Sequence, residues 1–267
     1  MPRIKAGPIH LSYVERGSGD PILFIPGLIG LAAQWSHQIE HFAARHRVVA
    51  FDHRGAGDSD KPLQAYTMAL LAQDTVALLE ALGIAHVHIV GASTGGAIAQ
   101  VLAVDHPSRV RSLTLVSTWA RPDAYYRRIQ EMRRRVLLAM GVEPYVKLSS
   151  IWTAGPAQFR DMLSALEAQE AAQVEQAAPL EVMAARIDAT LEHDRLDDLP
   201  RITSPTLVVV ADDDTLIPPY LGATIAAAIP GARLVHMRQG GHNCFREDPK
   251  TFNRILEEFL AGARRRH

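Results

Sequence analysis

The 267-residue sequence predicts an α/β protein: a mostly parallel central sheet, helices on both of its faces, and an inserted helical segment. Three observations carry this. Short β-branched runs alternate with helical patterns, the signature of parallel strands buried on both faces. The run "VHIVGA" (87–92) breaks at a glycine–serine turn and passes directly into a helical pattern. Roughly ninety residues (118–205) separate two of the strands, where a crossover helix needs about a dozen.

In chain order, "IHLSYVERGSGDP" (9–21) reads as an antiparallel edge ending in a glycine-rich turn. "ILFIP" (22–26), "RVVAFD" (47–52), "VHIVGA" (87–92), "VRSLTLVS" (110–117), "TLVVVA" (206–211) and "RLVHM" (233–237) read as buried strands. Helical patterns fall at 66–83, 95–105, 219–229 and 249–262. Inside the long gap, "ARPDAYYRRIQEMRRRVLLAMG", "AQFRDMLSALEAQEAA" and "LEVMAARIDATLEH" are helical. The organisation expected is therefore a core of 1–118 and 201–267 with a helical lid at 119–200.

Composition excludes some classes. Lys and Arg number 28 against 29 Asp and Glu, so no bulk field draws nucleic acid, and 48% apolar residues are ample for a core. The run "RRR" at 264–266 reads as a solvated tail. The N-terminus has no apolar signal core and no run approaches a membrane span. The single cysteine, Cys244, forbids an intrachain disulfide and suits a reducing cytoplasm. Two residues past His242, it reads as a small packing residue. The partner expected is a small molecule, with neither nucleic acid nor membrane, and a homodimer is the assembly left open.

The chemistry centres on "GASTG" (91–95), which matches G-x-S-x-G at a strand-to-helix turn. Such a turn exposes the Ser93 hydroxyl, requires small neighbours where strand and helix converge, and aims the Thr94 amide at the reacting atom from a helix N-terminus. A serine hydroxyl needs a base, and the base needs a carboxylate to fix its tautomer. "ADDDTLIPP" follows a late strand and "RQGGHNCF" follows the last one. His242 is the base. Of the three aspartates Asp214 is the orienting acid, with Asp212 and Asp213 assigned to turn chemistry. In "FIPGLIG" (24–30), Pro26-Gly27 makes the turn, and the Leu28 amide is the second oxyanion donor. Gly27, Trp119 and Arg127 are candidate substrate-binding residues. The arginines at 121–135 read as a solvated helix face with an aromatic anchor; the sharper alternative is that one of them, Arg121, Arg127 or Arg128, turns inward and holds a substrate carboxylate.

With the order Ser93, Asp214, His242, the chain resembles the α/β-hydrolase superfamily over nearly its full length. "FDHRGAGDSDKP" (51–62) looks like that family's stretch after its fourth strand, whereas "FIPG" departs from the commoner His-Gly before the oxyanion loop. The tail from 211 is similar to aminoacrylate hydrolases of pyrimidine degradation, 3-oxoadipate enol-lactonases and small carboxylesterases. The resemblance implies the α/β-hydrolase fold, hydrolysis of a small ester, lactone or related acyl compound, and neither metal nor organic cofactor. It also admits two other classes: a C–C or cyanohydrin lyase using the same triad, and a non-catalytic ligand-binding protein of the same fold.

Overall fold

The computed structural model describes residues 1–264, so Arg265 and Arg266 of the terminal arginine run lie outside the described residues. The chain opens with a hairpin, β1 (Arg3–Ala6) and β2 (Ile9–Arg16), turned at Gly7 with φ +61°. Then follow β3 (Pro21–Ile25), α1 (Ser36–Phe42), β4 (Arg47–Phe51), α2 (Met68–Ala81), β5 (Val87–Ala92), α3 (Thr94–Asp105) and β6 (Val110–Val116). Five helices precede the next strand: α4 (Ala124–Met140), α5 (Val142–Thr153), α6 (Pro156–Asp161), α7 (Leu163–Glu175) and α8 (Leu180–Glu192). The chain returns to the sheet with β7 (Thr206–Ala211), α9 (Pro219–Ala228), β8 (Arg233–Met237), the short α10 (Cys244–Glu247) and α11 (Pro249–Arg264).

The described strands form one eight-stranded sheet in the order β1-β2-β4-β3-β5-β6-β7-β8. β1, β2 and β4 pair antiparallel, and every pairing from β4 to β8 is parallel. All six residues of β5 and of β7 are buried, as continuous β-branched runs require when helices cover both faces. Alternation along β3 sorts the two cores. Leu23 and Ile25 join Val49, Phe51 and Ile89 under α2 and α3, whereas Ile22 and Phe24 join Val48, Ala50 and Val90 under α1 and α11.

The first strand of the hairpin and helix α1 were not anticipated from the sequence. Both are short and carry few of the periodic apolar positions that betray an element. In the insertion the sequence pattern gives no sign of α5, and it runs α6 and α7 together as one helix over 157–172. Gly141, at φ +89°, ends α4 and turns the chain into α5. Pro144 lies in the first turn of α5, where the missing N–H has no acceptor in any case. α4 packs on α5 and α8, with Leu137, Tyr145, Val146, Ala184 and Ile187 forming a small core of their own. No helix among the described residues is long and apolar enough to cross a membrane.

The stretch after β4 is a hub for the loops above the sheet. Asp52 accepts the amides of Ala32 (2.9 Å) and Asp58 (3.1 Å), and Ser59 Oγ donates to the Asp52 carbonyl at 2.7 Å. A Cβ on Gly57 would lie 2.1 Å from Asp52 Oδ2, which explains the glycine. Buried Arg54 grips both carboxylate oxygens of Asp74 of α2 through Nε and Nη2.

Candidate active site

The glycines around Ser93 have specific reasons. A Cβ on Gly91 would lie 2.3 Å from the Gly95 carbonyl oxygen, and one on Gly95 would lie 2.1 Å from the Ile25 carbonyl oxygen. A Cβ on Gly96 would meet Thr118 at 2.6 Å. The strand, the turn and helix α3 therefore converge more closely than any side chain allows.

Ser93 itself adopts φ 53°, ψ −119°, one of two non-glycine residues with positive φ among those described; Ser117, on the neighbouring strand end, is the other. Such a conformation costs roughly 1–3 kcal/mol and persists only where the surroundings hold it. Here they do. The Ser93 amide donates to the Val116 carbonyl at 2.9 Å, and the Ser93 carbonyl accepts from Thr118 Oγ1 at 2.7 Å and from the Gly96 amide at 2.9 Å. Thr94 opens α3, so its amide is among the first-turn donors that find no acceptor within the helix.

The three aspartates after β7 divide the work. Exposed Asp212 meets His236 Nδ1 at 2.7 Å, away from the serine. Asp213 accepts the amides of Gly240 (3.2 Å) and Gly241 (2.9 Å), pinning the loop that carries the histidine. Asp214 is buried. Its Oδ1 takes the amides of Leu216 and Ile217, both at 2.9 Å, and its Oδ2 lies 3.0 Å from His242 Nδ1. A carboxylate can only accept, so Nδ1 carries the proton and Nε2 is left with its lone pair free. Gly240 and Gly241, at φ +119° and +56°, supply the backbone bend that brings the ring round. Asp213 was expected to serve turn chemistry, and the turn it holds is that of the histidine.

Ser93 and His242 line one cavity, together with Gly27 and Leu28 from the loop after β3 and residues of α4, α5 and α7. The Gly27 amide donates to Gln34 Oε1 at 2.9 Å, which fixes the turn before Leu28. Leu28 is held from the other side by Arg186 of α8, whose guanidinium donates to the Leu28 carbonyl at 2.6 Å and to that of Gly55 at 3.2 Å. Arg186 is buried, and burial lowers its pKa to about 10, still well above neutrality.

Two expected substrate-binding residues lie elsewhere. Trp119 is completely buried against Tyr126 and His193, beneath the insertion and outside the cavity. Arg127 is exposed on the outer side of α4, where it donates to the Leu191 carbonyl at 3.2 Å. Arg128 is exposed too, and Arg121 is paired outside with Asp194 and Asp197. The arginine that does face the cavity is Arg133. The buried stripe of α4 runs Tyr126, Ile129, Gln130, Arg133, Leu137, a 3.6-residue period. Anchoring the period on Tyr126, Ile129 and Leu137 selects Arg133 from the sequence alone.

Cys244 is fully buried, and burial, with Asp214 nearby, pushes its thiol up to about 12. That suits a packing residue rather than a nucleophile. Among the described residues no group of three or more His, Cys, Asp or Glu is arranged to hold a metal ion.

The strained serine after a central strand, the open-ended sheet and the acid–histidine pair at its far edge belong together in one protein class. The chain belongs to the alpha/beta hydrolase fold family, whose model matches residues 20–249. It is 38% identical over 259 residues to the protein named "Putative carbamate hydrolase RutD" of Azorhizobium caulinodans, covering 97% of this chain and 98% of that one. Among solved structures it is similar to a thermophilic esterase of Thermogutta terrifontis (TM-score 0.88, 29% identity, 98% and 99% of the two chains). It is also similar to the enol-lactonase of Burkholderia xenovorans (TM-score 0.88, 25% identity, 97% and 100%).

Proposed function

We propose that this chain is a serine hydrolase of a small ester, lactone or related acyl compound, working through Ser93, His242 and Asp214. The observation that carries the reading is the 3.0 Å contact between Asp214 and His242 Nδ1 at the edge of the cavity that Ser93 also lines. It leaves Nε2 as the base.

His242 Nε2 takes the Ser93 hydroxyl proton as Oγ attacks the acyl carbon. The amides of Leu28 and Thr94 receive the oxyanion, which in a dry pocket is worth far more than in water. As the tetrahedral adduct collapses, the imidazolium returns the proton to the leaving oxygen or nitrogen. Water, deprotonated by the same Nε2, then attacks the acyl-serine; as the second adduct collapses the imidazolium returns the proton to Ser93 Oγ and the acid is released. Asp214 stays ionised throughout and stabilises the imidazolium. The names of the relatives, a carbamate hydrolase, an esterase and an enol-lactonase, share an acyl carbon open to such attack, and this commonality supports the class of substrate. In the same reading residues 119–200 act as a lid over a core of 1–118 and 201–267.

Ser93→Ala is expected to lower kcat on p-nitrophenyl acetate by about 10³-fold or more with an unchanged circular dichroism spectrum. Near-wild-type turnover by the folded variant would sink the proposal.

A further inference from the structure

The cavity wall above Ser93 carries two buried charges of opposite sign. Arg133 of α4 is 5% exposed and Glu170 of α7 is 8% exposed. Both line the cavity with Ser93 and His242. Neither is in an ion pair with the other or with any other described residue. Arg133 is held by neutral groups: Nε donates to Ser149 Oγ at 3.0 Å, one arm to Gln130 Oε1 at 2.9 Å and the other to Tyr145 Oη at 3.1 Å. Those bonds use three of the five guanidinium donors, and two remain. Glu170 takes a hydrogen bond from Ser150 Oγ, the next residue on α5. Lys147, the one cation of that helix, is exposed and ion-paired with Glu143, and it meets Glu170 only through space, with no direct contact.

A buried charge without a counter-charge is costly, because water is lost and nothing of opposite sign replaces it. The cost is offset when a ligand brings the missing charges. Arg133 alone would select an anion. With Glu170 in the same cavity, a simple anion meets repulsion from one wall, as a simple cation does from the other. Glu247 adds a further negative charge at the exposed rim. The complementary ligand is dipolar.

Resting on the hydrolase reading above, we infer that the substrate is a zwitterionic acyl compound whose carboxylate is held by Arg133 and whose ammonium group is held by Glu170, with the scissile carbonyl at Ser93. Planar, forked donors suit the carboxylate, and a lone buried carboxylate suits a compact ammonium.

Four esters differing only in these charges test it: L-glutamic acid γ-methyl ester, monomethyl glutarate, methyl 4-aminobutyrate and methyl butyrate. Each is titrated calorimetrically into the Ser93→Ala protein, where none is consumed. The dipolar ester is expected to bind at least about tenfold more tightly than either singly charged one. In the same background Arg133→Gln is expected to abolish its advantage over methyl 4-aminobutyrate, and Glu170→Gln its advantage over monomethyl glutarate. Equal affinities, tightest binding of the monoanion, or no measurable affinity for the dipolar ester overturns the inference. If Arg133→Gln does not fold, the four-ester series and Glu170→Gln still decide it. Wild-type kcat/KM on the same esters separates the two readings. Equal turnover of all four that depends on Ser93 sinks the dipolar substrate alone, whereas dipolar-selective binding without turnover sinks the hydrolase alone.

Discussion

Arg186 donates a 2.6 Å hydrogen bond to the carbonyl of Leu28, joining residues 158 positions apart. One comes from the last helix of the insertion and the other from the loop proposed to bind the oxyanion. The same guanidinium holds Gly55 at 3.2 Å, and a Cβ on Gly30 would lie 2.4 Å from it. Helix α8 therefore fixes that loop.

Arg186→Met removes the donor of both carbonyls and leaves the buried Gly55 acceptor unpaired, at a cost of about 1–3 kcal/mol. The freed Leu28 no longer holds its amide in place, so kcat is expected to fall by roughly 10–100-fold with little change in KM. Steady-state kinetics on a neutral ester check this. A fall in stability with an unchanged kcat would make Arg186 a packing residue only.

The aspartates predict a graded series. Asp214→Asn is expected to lower kcat by about 10⁴-fold, since an amide at that place favours the wrong imidazole tautomer. Asp213→Asn weakens the hold on Gly240 and Gly241 and is expected to cost an intermediate amount, and Asp212→Asn next to nothing. The ranking of the three kcat values is the test, and a reversal between Asp213 and Asp214 would contradict the geometry.

The sheet and the elbow were legible in the sequence because both rest on local signals. β-branched runs declare a buried parallel sheet, and glycines at 91, 95 and 96 declare a close approach that the structure realises against Gly95, Ile25 and Thr118. The lining of the cavity was less legible. Trp119 and Arg127 lie near the start of the insertion in sequence, yet the loop before α4 tucks Trp119 under it and the helical period of α4 turns Arg127 outward. Arg133 was recoverable from that period. Arg186 was not, since its meaning depends on two carbonyls far away in the chain, and nothing in its own helix announces them.

Burial lowers the pKa of His193 to about 4, with Arg195 adding to the effect and Asp194 opposing it. A histidine held neutral in the fold binds fewer protons than the unfolded chain between about pH 6.5 and pH 4. Stability is then complete above that window and lost as pH falls through it, by about 3 kcal/mol in full. His53, also buried and shifted down, adds to the loss. Urea unfolding at pH 7 and pH 4.5 measures the difference, and His193→Gln is expected to reduce it. An identical pH dependence in the variant would refute the assignment.

Cys244, with its thiol pushed up to about 12, is expected to resist a thiol-specific disulfide reagent until the protein unfolds. Cys244→Ala is expected to keep most of the activity. Rapid labelling of the native protein, or loss of turnover without loss of fold, would reverse this.

The central claim is that Ser93 forms an acyl-enzyme with His242 as its base. Intact-protein mass spectrometry of the wild-type chain mixed with a slowly hydrolysed p-nitrophenyl ester tests it most directly. The account predicts a transient increase of one acyl group, located by peptide mapping to Ser93, and no adduct on Ser93→Ala. Steady ester turnover with no adduct on Ser93, undiminished in folded Ser93→Ala, would contradict it.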